Sequence, residues 1–226
     1  MDPLRDGEVA QLFSRRANTV ARLAVFAIPA IPIVIVMLGA AYEYTNYATG
    51  IGYNRRQPVP FSHKHHVGDD GLDCRYCHTS VETSAIAGVP PTEVCMTCHS
   101  QLWTSAEVLA PVRQSFAEGK PLRWNRVNRL PKYVYFAHAI HISKGIGCSS
   151  CHGAVDEMPL MHKSQSLTMG FCLDCHRAPE MQVRPKSEIF AMHWTPPPNQ
   201  PEAGAKLVEA YHIDKAHLTD CSVCHR

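Results

Sequence analysis

Ten cysteines constrain this chain more than anything else in it, because they fall into five Cys-x-x-Cys pairs and a histidine follows every pair. The pairs are Cys74/Cys77, Cys95/Cys98, Cys148/Cys151, Cys172/Cys175 and Cys221/Cys224, followed by His78, His99, His152, His176 and His225. No cysteine is left over. Two thiols at this spacing reach the two vinyl groups of one porphyrin, and the adjacent imidazole then lies under the iron, so the pattern reads as c-type haem attachment. A disulfide scaffold also uses an even count but gives no reason for a histidine after each pair. Tetrahedral zinc sites would draw on an odd number of pairs and leave five histidines idle. A thioredoxin-like motif needs a βαβ setting that this sequence lacks. The expected cofactor content is five haem c.

A formal charge of +2 and a hydrophobic share of 45% describe neither a nucleic-acid binder nor a disordered chain. Haem propionates change that balance, and many of the 22 Lys and Arg are expected to serve as their counter-charges. The segment from Lys120 to Lys132, with Arg123, Arg126 and Arg129 around Trp124, is the strongest candidate for this role. A solvated basic loop is the plain alternative.

From Leu23 to Tyr42 the chain carries no charge, a run long enough to cross a bilayer as one helix of about 30 Å. Pro29 and Pro32 inside it are tolerated in membrane spans. Arg5, Arg15, Arg16 and Arg22 precede it, against Arg55 and Arg56 well after it, so residues 1–22 are expected in the cytoplasm. Residues 43–226 then form an extracytoplasmic, periplasmic haem domain, on the side where c-type haems are attached. A cleaved leader is the alternative, with Gly39, Ala40 and Ala41 small enough for a cleavage site. The apolar run exceeds the about 7 to 15 residues of a leader core, so a retained anchor is expected.

The haem domain contains an internal repeat. Phe61-Ser-His63-Lys-His65-His66 precedes the first haem motif, Phe136-Ala-His138-Ala-Ile-His141 precedes the third, and both read Phe-x-His-x-x-His. A second motif follows in each unit, giving repeats over about 61–99 and 136–176, with a single-haem unit at 211–226. Tyr211-His212 with His217 reads as a degenerate third copy. The expected fold class is therefore a multihaem cytochrome c: one N-terminal transmembrane helix and a haem-packed domain of short helices and loops with little strand. Helices are expected from Thr92 as N-cap, from Ser105 to Glu118 closed by Gly119, and from Gly204 to Tyr211. Tyr133 to Phe136 reads as a short strand, and Trp194 to Pro201 as extended and polyproline-like.

Nine other histidines and eight methionines could supply the second axial ligands. His63, His66, His138 and His141 hold equivalent repeat positions and are expected to take one iron each. His65 has no counterpart and is expected at the surface or against a propionate. For the fifth iron the candidate is Met169, three residues before Cys172 and followed by Gly170, which lets the backbone approach a macrocycle. Ordinary apolar packing of Met169 is the alternative, with Met158, Met161, Met192, His193, His212 and His217 in reserve. His/Met ligation raises a haem potential relative to two His. No catalytic residue is expected.

Phe-x-His-x-x-His resembles small multihaem cytochromes, where the first His commonly ligates the following haem and the second reaches a neighbour. The whole layout, through Leu167-Thr-Met-Gly-Phe-Cys-Leu-Asp-Cys-His176, resembles the pentahaem subunit of alternative complex III. That resemblance implies a quinol-oxidising membrane complex with an iron–sulfur subunit, integral membrane quinone-binding subunits and a monohaem cytochrome. It also implies one His/Met site and electron relay to a soluble periplasmic carrier, in respiration or photosynthesis. Two alternatives are a tetrahaem quinol dehydrogenase, whose first motif carries Met where this chain has Ser80, and a multihaem reductase with an open haem. Intact mass spectrometry should find five haems on a chain that keeps its apolar run. A smaller excess, or a start beyond residue 38, would reject that expectation.

Overall fold

A computed structural model describes residues 14–225, and its contacts divide the chain into two units, Met1–Thr49 and Gly50–Arg226. Arg5 and the rest of residues 1–13 of the expected cytoplasmic segment lie outside the described residues. The first unit is built on helix α1, Arg15–Glu43, which holds Pro29 and Pro32 in its interior. Its apolar side chains from Val20 to Tyr42 are exposed, and Arg16–Glu43 is long and apolar enough to cross a membrane. Tyr44 ends α1, and Thr45 then opens the short helix α2, Asn46–Thr49, by accepting from the Ala48 N–H at 3.3 Å.

In the second unit each haem motif opens a helical turn. These turns are α3 (Cys74–Cys77), α4 (Thr92–His99), α7 (Cys148–His152), α8 (Met169–Arg177) and α10 (Cys221–Cys224), joined by α5 (Ala110–Glu118), α6 (His138–Ser143) and α9 (Gln200–Ala210). Cysteines three apart in a helical turn lie on one face, which is why a helix suits the motif. Local capping starts several of these turns. Asp73 accepts from the Arg75 N–H at 2.8 Å ahead of α3, and Thr168 from the Phe171 N–H at 3.5 Å ahead of α8.

The two repeat units are packed reciprocally. The π-helical turn Lys64–Asp69 lies on the segment after the third motif, with Lys64 N–H on the Met158 carbonyl at 2.9 Å. There Gly68 approaches so closely that a Cβ would stand 2.4 Å from the Asp156 carbonyl oxygen. Helix α6 lies on the segment after the first motif, where the N–H groups of His138 and Ala139 reach the carbonyls of Ala85 and Ser84 at 3.2 and 3.0 Å. Two of the helix's unpaired N-terminal donors are satisfied this way. Val81, Ile142 and Ile189 form a small apolar cluster at the junction, against Cys148 and Phe190.

Regular strand is absent among the described residues, where only isolated bridges occur: Ile51 with Lys163, Asn54 with His162, Val134 with His225 and Ile146 with Val183. The strand expected at Tyr133–Phe136 is thus one bridge, since its partner His225 is a single extended residue directly after the helical turn Cys221–Cys224. Thr92 does not cap α4: Pro91 holds that position, and the Thr92 hydroxyl meets Ser115 Oγ at 2.7 Å, fastening α4 to α5. Prolines set two further boundaries that differ from expectation. Pro111 fits only the first turn of α5, so the preceding Glu107–Leu109 is a 3-10 turn, and Pro201 does the same for α9, which begins at Gln200 and shortens the extended segment.

Helix α9 is seated on the turn Pro179–Met181. Gln200 Nε2 donates to the carbonyls of Glu180 and Val183 at 2.8 and 2.9 Å, and a Cβ on Gly204 would fall 1.9 Å from the Glu180 carbonyl oxygen. Gly204→Ala should cost about 2 kcal/mol or more through overpacking. That corresponds to a thermal midpoint about 4 to 8 °C lower in the haem-loaded protein. A midpoint within about 1 °C of the parent would show that the helix does not rest there.

Candidate haem-binding sites

All ten cysteines are unbridged, with Cys98 and Cys221 exposed and the others half-buried. Burial raises the Cys151 thiol to about 11, which keeps it neutral and unlike a redox or metal-binding thiolate. Among the described residues no three His, Cys, Asp or Glu side chains converge as ligands of a bare metal ion. The motifs, numbered sites 1 to 5 in chain order, have definite neighbours. Cys77 of site 1 lies within electrostatic reach of Cys95 of site 2, while Cys74 of site 1 lies close enough to Cys148 of site 3 to interact with it. Cys151 of site 3 feels Cys175 and Cys172 of site 4, and Cys172 feels Cys224 of site 5. Side chains join the same neighbours, with Tyr76 Oη and Thr97 Oγ1 2.8 Å apart between sites 1 and 2.

The motif histidines are oriented from behind. Nδ1 lies 2.7 Å from the Gly88 carbonyl in His78, 3.3 Å from Leu102 in His99, 2.8 Å from Leu218 in His176 and 3.2 Å from Tyr133 in His225. Each contact places the proton on Nδ1 and leaves the Nε2 lone pair for a metal. At His152 the partner is the side-chain amide of Asn128, 3.0 Å from Nδ1, while Asn128 Oδ1 is buried without a partner. With the amide turned over, Oδ1 would accept from Nδ1 and Nε2 of His152 would be left for a metal, as in the other motif histidines.

The repeat histidines use the same device. His66 and His141 donate from Nδ1 to the carbonyls of Ser62 and Ala137, both at 2.8 Å, and His138 to Ala85 at 3.0 Å. Phe61 stacks on His66 at 4.4 Å and meets His63 edge-on at 4.9 Å. Phe136 repeats this on His141 and His138 at 4.3 and 4.8 Å. Burial, followed by repulsion from His78, pushes His63 down to about 4, and burial followed by repulsion from His138 does the same to His152. Both imidazoles are therefore neutral, as a metal ligand must be.

Spacing tests whether these residues fit a haem. Two imidazoles on opposite sides of one metal, with metal–nitrogen bonds of about 2 Å, have ring centres about 6 Å apart. His66 faces His99 at 6.2 Å, His138 faces His152 at 6.4 Å, and His141 faces His176 at 6.2 Å. The residues fit. The interplanar angles differ, at 68°, 10° and 31° in that order. His63 occupies the repeat position of His138, interacts with His78, and has a buried Nδ1 without a partner.

The fifth site is less enclosed. Tyr133 lies 5.8 Å from His225, and Met169, at the start of α8 on the face of Cys172, is 63% exposed. Among the reserves, Met158 is buried, His193 pairs with Asp156 at 2.7 Å and His217 with Asp220 at 2.9 Å. His212 sits at φ 50 and lacks the phenylalanine-buttressed geometry of the repeats, so the degenerate third copy does not reproduce it. His65 is at the surface with Asp69 and Asp70. The basic segment runs along the sites: Trp124 meets Phe61 edge-on at 6.5 Å, Asn128 holds His152, and Tyr133 holds His225. Asn128 was missed by the sequence reading because an asparagine in a basic loop carries no motif. The carbonyl partners cannot be found from residue type at all. His162, also not singled out, pairs through its backbone with Asn54.

No known protein-family model matches the chain. Over 99 residues, 43% of its length, it is 38% identical to a menaquinone reductase multiheme cytochrome c subunit of Nitratidesulfovibrio vulgaris (strain Hildenborough). The match spans 46% of that relative, so the chain covers under half its length. Short helices, isolated bridges and histidines spaced for a porphyrin iron give this chain the fold class of a multihaem cytochrome c.

Proposed function

We propose that the chain is an electron-relay subunit carrying five covalent haem c groups in a quinone-linked membrane complex. The observation that carries this reading is the three imidazole pairs with ring centres 6.2 to 6.4 Å apart. When bound, each haem supplies a one-electron iron couple. The chain's part is to hold both axial groups fixed, so that nothing binds or leaves as the charge changes. His63, His66, His138 and His141 take sites 1 to 4, and Met169 takes site 5, supported by the neighbouring Cys172 and Cys224. Thiol neighbours support the spatial order 2, 1, 3, 4, 5, which differs from the order in the chain. Helix α1 anchors the domain with its N-terminus cytoplasmic and the haems periplasmic.

Electrons pass from a quinol, through an iron–sulfur subunit and integral membrane partners, to this chain and on to a monohaem cytochrome or soluble carrier. The relative's name, a menaquinone reductase subunit, favours a second direction, toward menaquinone. An apolar helix without an ionisable group between residues 23 and 42 offers nothing to deprotonate a quinol, so the quinone site belongs to a partner under either direction.

Two measurements test this reading. The angle between two axial imidazoles sets the splitting of the iron d orbitals. The oxidised chain should therefore show a rhombic low-spin paramagnetic resonance signal from the nearly parallel His138/His152 pair and a large-gmax signal from His66/His99. His66→Ala should abolish the second and spare the first; loss of neither would remove His66 as a ligand. In the assembled complex, added quinol should reduce the haems and pass electrons to a periplasmic cytochrome, whereas the isolated haem-loaded chain should not turn over quinol. Sustained turnover by the chain alone would overturn the relay reading. Haem oxidation by menaquinone would fix the opposite direction.

A further inference from the structure

Arg184 is only 3% exposed, yet no carboxylate lies within ion-pair distance of it among the described residues. Its Nη2 donates to Ser150 Oγ at 2.9 Å, and its Nη1 to Ser149 Oγ at 3.2 Å and to the carbonyls of Ala191 and Glu188 at 3.2 and 3.4 Å. The Trp194 ring covers the guanidinium at 4.4 Å. Ser149 and Ser150 are the two residues between Cys148 and Cys151, so the cation is fastened to the attachment loop of site 3. Gly147 makes room for it: a Cβ there would stand 2.2 Å from Cζ. One donor, Nε, is buried and unpartnered.

A buried guanidinium held by neutral acceptors keeps its charge and loses its hydration, so its field reaches neighbouring groups without the screening that water would give. Burial pushes the Arg184 charge toward loss, and Glu188 is the acid that opposes this, since the Cys148 and Cys151 thiols are held neutral. The ferric state of a haem with two neutral axial imidazoles carries one more positive charge than the ferrous state, so a fixed cation nearby favours the ferrous state.

Resting on the haem reading above, we propose that Arg184 is a positioning residue for electrons, whose buried charge raises the potential of the haem at Cys148–His152, the centre of the relay. The Cys148–His152 haem then collects electrons arriving from either neighbour.

The test is a redox titration of the full haem-loaded chain, following the rhombic signal of the nearly parallel His138/His152 pair. Arg184→Gln and Arg184→Met should lower the reduced-to-oxidised ratio of that haem at a fixed ambient potential about tenfold, equal to about 59 mV for one electron. Arg184→Lys, which keeps the charge, should restore most of the shift. Haem count by intact mass is read on every variant. Unchanged potentials with full haem content, or equal shifts in the Lys and neutral variants, would overturn the proposal. Loss of a haem in the neutral variants would make Arg184 a clamp of the attachment loop and would equally overturn it. A parent chain without haems would instead defeat the haem reading itself.

Discussion

The hydrogen bond behind the motif and repeat histidines, made by all of them but His63, is the interaction on which the rest of the structure depends. An imidazole presented to a metal must be neutral, in one tautomer and at one angle, and an Nδ1–H bond to a carbonyl fixes all three. In this chain the carbonyls come from distant places: Gly88 for His78, Leu218 for His176, Tyr133 for His225 and Ala85 for His138. Each of these four bonds therefore fastens one segment to another as well as orienting a ring, whereas those of His66, His99 and His141 are local. The path of the chain and the geometry of the sites are set by the same contacts.

This matters because little else holds the domain together. The apolar cluster is small, and its members, Val81, Ile142 and Ile189, sit at the junction of the two repeats. A domain of this length ordinarily depends on a large apolar core. Here the short helices are stapled by polar contacts such as Thr92 with Ser115 and Gln200 with the Pro179–Met181 turn, and the proposed porphyrins would supply the apolar surface that side chains do not. Reciprocal packing follows from the same scarcity. Each Phe-x-His-x-x-His segment rests on the loop after the other repeat's first motif, so neither repeat has these histidines in place without its partner.

The attachment sites and the repeat were legible because they are written in residue type and spacing. Phe61 and Phe136 even keep the same stacking distances, within 0.1 Å, at 4.4 and 4.3 Å. What stayed hidden was carried by atoms that every residue possesses or by charges far away in sequence. No pattern marks Gly88 or Leu218 as a carbonyl donor of orientation, and Arg184 lies 33 positions beyond the Cys151 it serves. Helix starts were misplaced for a simpler reason: Thr92 looked like a cap, but a neighbouring helix claims its hydroxyl, while Pro111 and Pro201 fix the starts of α5 and α9.

Spatial order is where sequence and structure part most usefully. Reading the motifs along the chain would put site 1 at an end, yet Cys77 interacts with Cys95 of site 2 and Cys74 with Cys148 of site 3. These neighbours support the proposed order, in which site 1 is interior and sites 2 and 5 are the ends. The basic segment connects these regions from outside, touching Phe61 through Trp124, His152 through Asn128 and His225 through Tyr133. A loop that contacts three parts of a relay cannot shift at one without disturbing the next. Propionates of the proposed haems would lie within reach of such a segment and supply the counter-charges for Arg123, Arg126 and Arg129.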